Sequence, residues 1–103
     1  MYMLKHMEFD GFDWDEGNWA KCQRHGVSIE DIEALFTGPM RVRPDPTPSE
    51  RRFQAIGAGA DGRMIFCVFT WRNTTWRDTR LIRPISARYM HRKEIASHEK
   101  EIP

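Results

Sequence analysis

The feature that most constrains this chain is the run from Arg63 to Trp71, almost wholly apolar and entered directly from Asp61-Gly62. Asp-Gly favours the tight turn of a β-hairpin, so the run is a strand that begins at a turn. Both of its parities are apolar, with Met64, Phe66 and Val68 against Ile65, Cys67, Phe69 and Trp71. That pattern predicts a central strand covered on both faces. Arg52 to Gly57 is a candidate partner before the turn, Asn73 to Trp76 gives the next turn, and Asp78 to Ser86 a further strand. Pro84 has no N–H to donate, so within that strand it implies an edge, a bulge or the strand's end.

Around this meander the signals are helical. Phe12 and Trp14 alternate with Asp13 and Asp15 as in a short strand with one wet face. Asp15 then stands as a helix N-cap, the helix runs to about Arg24, and His25-Gly26 closes it. Ser28, with Asp31 three residues on, opens a second helix whose Ile29, Ile32, Leu35 and Phe36 share one face, and Gly38-Pro39 stops it. Pro44, Pro46 and Pro48 make residues 44–50 a loop. Ala87 to Lys100 has the composition of a last helix, with Ser86 as its cap and Arg88 in its first turn. The expected architecture is one α+β domain over residues 1–103. It has an antiparallel sheet of about four strands, two N-terminal helices and one C-terminal helix, all packed on that sheet.

Composition narrows the class. A chain of 103 residues makes one domain, and Cys22 and Cys67 are too few for a disulfide scaffold, which makes a reduced cytoplasmic setting the expectation. No apolar run has the length of a membrane span, and Lys5, His6, Glu8 and Asp10 interrupt the first twelve residues, so neither membrane association nor a signal peptide is expected. The formal charge of +1 conceals an asymmetry: residues 1–50 hold ten acidic and five basic side chains, residues 51–103 five acidic and eleven basic. Twelve of the sixteen basic residues are arginine, whose planar fork suits phosphate. The second half therefore suits an anionic ligand, unless its arginines instead pair with the acidic half across the fold.

Several residues bear on chemistry. His25 suits proton transfer, because imidazole titrates near neutral pH; it could equally cap the carbonyls at its helix end. Arg63 enters the long strand, and Arg80 or Arg83 lies on its neighbour, so guanidinium groups could converge on one sheet face with Arg88. Arg88 and Ser86 could hold a phosphate at a helix start, or Ser86 could only cap it. Tyr89 and Trp76 admit stacking on unpaired bases, whereas Trp14 and Trp71 are better explained by burial. The acids Glu8, Asp10, Asp13, Asp15 and Glu16 are the one cluster a metal might use, and they read more simply as a solvated face. No metal and no cofactor are expected.

The segments Trp14-Asp15-Glu16-Gly17-Asn18, Lys21, Arg24-His25-Gly26-Val27-Ser28, Ala55 to Gly57, Gly62-Arg63 and Ile85-Ser86-Ala87-Arg88 together carry a resemblance. From Phe12 to about Glu99 the chain resembles the BrnT toxins of type II toxin-antitoxin systems, small ribonucleases with a RelE-like fold. Arg24 stands where the family often has lysine, and Lys21 where relatives often have asparagine. The resemblance implies metal-independent cleavage of RNA, with His25, Arg88, Arg63 and Lys21 as catalytic candidates and Arg24, Arg80, Arg83, Ser86 and Tyr89 as RNA-binding ones. It also implies a ribbon-helix-helix antitoxin as partner, with operator DNA reached only indirectly through that antitoxin. The alternative is a non-catalytic protein-binding or nucleic-acid-binding module of the same fold.

Overall fold

The computed structural model describes residues 7–46, 51–74 and 78–101. Residues 47–50, expected as part of a loop, and residues 75–77, including Trp76, where a turn was expected, lie outside the described residues. The elements are β1 (Gly11–Phe12), α1 (Glu16–Gln23), α2 (Ile29–Thr37), β2 (Met40–Pro44), β3 (Phe53–Ala58), β4 (Met64–Thr74), β5 (Thr79–Tyr89) and α3 (Arg92–Glu101). They form an α+β fold on a five-stranded sheet of order β1-β5-β4-β3-β2. Strands β2 to β5 are the antiparallel meander. The short strand expected around Phe12 is β1, which lies parallel to β5, with Gly11 opposite Leu81 and Phe12 opposite Ile82; the addition to the four expected strands is β2.

The local chemistry explains the helix ends. Asp15 caps α1 by accepting from the Gly17 and Asn18 N–H groups, while the Asn18 side chain accepts from the Asp15 N–H. Gly26, at φ +88°, takes the left-handed conformation just after that helix. The Ser28 side chain accepts from the Asp31 N–H at the start of α2, and α2 buries Ile32, Leu35 and Phe36. Gly62, also left-handed at φ +86°, makes the turn into β4.

The core lies between α1 and α2 and one sheet face, where Ile65, Cys67 and Phe69 meet Leu35, Phe36, Ala55, Ile82 and Ala87. Strand β4 is the middle strand, as expected, but its two faces differ. Ile65, Cys67 and Phe69 are fully buried, whereas Phe66, Val68 and Thr70 are only half-buried. The second face is covered in part, by α3, which approaches Arg41, Ile56 and Phe66 and buries His98 against Arg41 at 3.5 Å. The helices thus flank the sheet on both sides.

Two expectations are corrected along the chain. Met40–Pro44 is a strand, so Pro44 ends β2 rather than opening a loop. Strand β5 continues to Tyr89, and α3 starts only at Arg92, so Ser86 caps no helix and Arg88 does not sit at a helix start. A bulge explains why: Val68 pairs with Ser86 and Phe69 with Pro84, leaving Ile85 as the extra residue. One extra residue inverts the alternation. Ile82 and Pro84 face the core before it and Ala87 after it, so Arg83 and Arg88, five residues apart, both point to the opposite face.

Candidate active site

Four parts of the chain meet at the end of β5. The turn after α1 supplies His25, the turn before β4 supplies Arg63, the last residues of β5 supply Arg88 and Tyr89, and the segment leading to α3 supplies Met90 and His91. Together they line a depression of about 390 Å³. His25, Arg63, Arg88 and Tyr89 were all legible in the sequence as candidates. His91 was not: it reads in the sequence as a surface residue, and it joins the group because β5 runs on to Tyr89 before the chain turns back.

Each side chain is held by identifiable contacts. The Arg88 guanidinium donates to both carboxylate oxygens of Glu94, Nη1 at 2.7 Å and Nη2 at 2.8 Å, and lies 4.7 Å from the Phe66 ring centroid. Glu94 also accepts the His91 N–H at 3.0 Å. These donors, the guanidinium foremost, hold the Glu94 carboxyl down to about 2, and the carboxylate raises Arg88 in return. Contact through the two Nη atoms leaves Nε–H and one N–H on each Nη for another acceptor.

Arg63 packs its guanidinium 3.5 Å from the centroid of the Tyr89 ring. The Tyr89 hydroxyl donates to Asp31 Oδ2 at 2.7 Å, and that hydrogen bond to the carboxylate is the main reason the phenol titrates above its ordinary range. Asp31 Oδ1 accepts the Ala60 N–H at 3.0 Å. One carboxylate of α2 thus anchors Tyr89 and the loop that precedes Arg63.

The other sequence candidates fall elsewhere. Arg24 is exposed at the end of α1, its N–H bonded to the Lys21 carbonyl. Ser86 sits opposite Val68 on the sheet face away from the core. Lys21 and Arg83 line a different groove, with Arg51, Arg52 and Arg72. Arg80 lies over the Trp71 ring at 3.6 Å and lines a third depression with Phe53 and Asn73. Arg63, Arg83 and Arg88 therefore do not converge on one cavity. Pairing across the fold accounts for part of this: Arg83 contacts Asp13 at 3.2 Å and Asp15 at 2.9 Å, and Arg72 contacts Asp13 at 3.4 Å.

The remaining groups have structural roles. Cys22 and Cys67 are buried free thiols, and burial pushes Cys22 up to about 11 and Cys67 well above its ordinary value. Trp14 is half-buried and donates its indole N–H to Glu33 at 2.9 Å, Trp71 is half-buried under Arg80, and Trp19 is 48% exposed. Among the described residues no helix is long and apolar enough to cross a membrane.

In comparison with known families, the family described as ribonuclease toxin, BrnT, of type II toxin-antitoxin system matches residues 14–94. No curated protein matches the chain.

Proposed function

The chain belongs to the BrnT family of ribonuclease toxins of type II toxin-antitoxin systems, and from that premise we propose that it cleaves RNA without a metal ion at the depression shared by His25, Arg63, Arg88, Tyr89 and His91. The observation that carries this reading is the meeting of two guanidinium groups and two imidazoles, from separate parts of the chain, on one concave surface.

Metal-free cleavage has three requirements: a base for the ribose 2′-hydroxyl, positive charge for the phosphoryl oxygens, and an acid for the departing 5′-oxygen. The 2′-oxygen bonds to phosphorus as its proton leaves, the bond from phosphorus to the 5′-oxygen breaks, and that oxygen takes up a proton. His25 and His91 serve as the proton-transferring pair, because imidazole exchanges protons near neutral pH. Arg63 and Arg88 bind the phosphoryl oxygens, Arg88 through the N–H groups that Glu94 leaves open. Tyr89 and Arg24 contact the flanking nucleotides, and Ser86 continues the same contact along the open sheet face.

A type II system implies an antitoxin partner. Following the family resemblance, that partner is a ribbon-helix-helix protein, and operator DNA is contacted only through it. Co-expression with such an antitoxin is expected to restore growth and yield a stable complex.

The mechanism is tested by the ends of the product. Incubation with RNA in EDTA is expected to leave a 2′,3′-cyclic phosphate and a 5′-hydroxyl, the products of attack by the 2′-oxygen. A 3′-hydroxyl with a 5′-phosphate would mean that water attacked instead, and would overturn the proposed chemistry. The engagement of Arg88 by Glu94 favours a second reading, a binding module without cleavage, for which the RNA would stay intact.

A further inference from the structure

Lys21 and Arg83 stand apart from the His25 depression, in a groove of about 580 Å³ where Arg51, Arg52 and Arg72 join them. We propose that this groove is a second binding site, one that holds the phosphate backbone of single-stranded RNA away from the point of cleavage. The proposal rests on the ribonuclease reading for the identity of its ligand.

Two observations support RNA as the occupant. The first is charge: five cations line the groove, and among the described residues the carboxylates bonded to Arg72 and Arg83 are Asp13 and Asp15, fewer than the cations. Lys21 and Arg51 are exposed. Cationic grooves suit the phosphate backbone of unpaired nucleotides. The second is position. Arg83 pairs with Thr70 and Arg88 with Phe66, four residues apart on β4, so roughly 13 Å separates them along the same sheet face. A short stretch of one extended strand could therefore occupy both sites. An acidic segment of a protein partner would fit the charge alone.

The groove also gives Lys21 a role its catalytic candidacy left unexplained. Lys21 follows from α1 lying along β5, where buried Asn18 donates to the Pro84 carbonyl at 2.9 Å. The ammonium therefore faces the Arg83 side of the sheet rather than the His25 depression.

The test uses fluorescence anisotropy with a labelled single-stranded RNA, 2′-O-methylated so that it cannot be cut by 2′-attack. In the double variant Lys21→Glu, Arg51→Glu, affinity at about 0.1 M salt is expected to fall about tenfold or more, and the slope of log affinity against log salt to shrink by about 1.4, because each single-strand phosphate contact contributes about 0.7. Arg51→Gln alone, with about half that change in slope, answers the same question should the double variant not fold. Unchanged affinity and slope would overturn the proposal. So would loss of antitoxin binding with RNA binding intact, which would make the groove a protein surface. Cleavage by the wild-type protein is read separately: intact RNA there, with groove-dependent binding here, would remove the nuclease reading and leave the groove standing.

Discussion

Arg88 and Glu94 form a two-bond fork at the rim of the His25 depression, and each is about a third exposed to solvent. Solvent shares the charges of such a pair, so its contribution to stability is about 0.5 kcal/mol. The sign follows from Glu94: its carboxyl is held at about 2 in the fold against an ordinary 4.5. The stabilisation is therefore fully present above pH 4.5 and is lost as pH falls through about 2. Urea denaturation of wild type and Glu94→Gln should show a difference at neutral pH that closes across that interval. Tyr89 offers a second check. Tyr89→Phe keeps the ring under Arg63 but removes the bond to Asp31, and should cost about 1 to 2 kcal/mol, or roughly 5 to 10 °C in thermal unfolding. An unchanged melting temperature would mean that Asp31 does not anchor this corner.

Strand β5 decides where the chemistry-bearing residues point. Read in strict alternation from Ile82 and Pro84, the strand would carry Ser86 and Arg88 into the core, and the composition from Ala87 onward suggests a helix instead. The bulge at Ile85 removes that conflict. Pro84 announced an irregularity, but no composition rule says that the strand resumes beyond it. Strand β2 was hidden for a related reason: Met40 and Val42 alternate with Arg41 and Arg43 as a strand should, yet Pro39 and Pro44 bracket the segment with breaker signals. Because Ser86 caps nothing, Ser86→Ala should shift stability by less than about 0.5 kcal/mol, against about 1 kcal/mol for a true N-cap. Asn18 is the contrasting case. It accepts the Asp15 N–H and donates to the carbonyls of Asp13 and Pro84, occupying the edge of β5 beyond the end of β1. Asn18→Ala should cost about 2 to 4 kcal/mol in denaturant titration, since these backbone groups lose their partner. Gly57, part of the Ala-Ile-Gly signature, is explained by contact: a Cβ there would lie 2.6 Å from Leu35 Cδ1 and 3.2 Å from the Pro39 carbonyl oxygen. Gly57→Ala should therefore destabilise by about 1 to 3 kcal/mol in the same titration.

At the scale of the whole molecule, the near-neutral sum of charges conceals both pairing across the fold and cations left in separate grooves. Part of the acidic half folds back onto the basic half through Asp13, Asp15, Arg72 and Arg83, while Arg51 and Lys21 stay exposed and Arg88 takes its carboxylate from α3. The class of fold and the middle strand were legible because long apolar runs and tight turns are local signals. The division of the cationic residues into two grooves was not, because it depends on one bulge and on how α1 meets β5. The central claim is that the His25 depression performs metal-free cleavage. Its most direct test is the single-turnover rate of RNA cleavage in EDTA for wild type, His25→Ala and Arg88→Ala, with folding checked by circular dichroism. Wild type should cut, and each variant should be slower by about 100-fold or more, as expected for loss of a proton-transfer or charge-stabilising group. Folded variants that cut as fast as wild type, or a wild-type protein that cuts only when a divalent metal is restored, would contradict it.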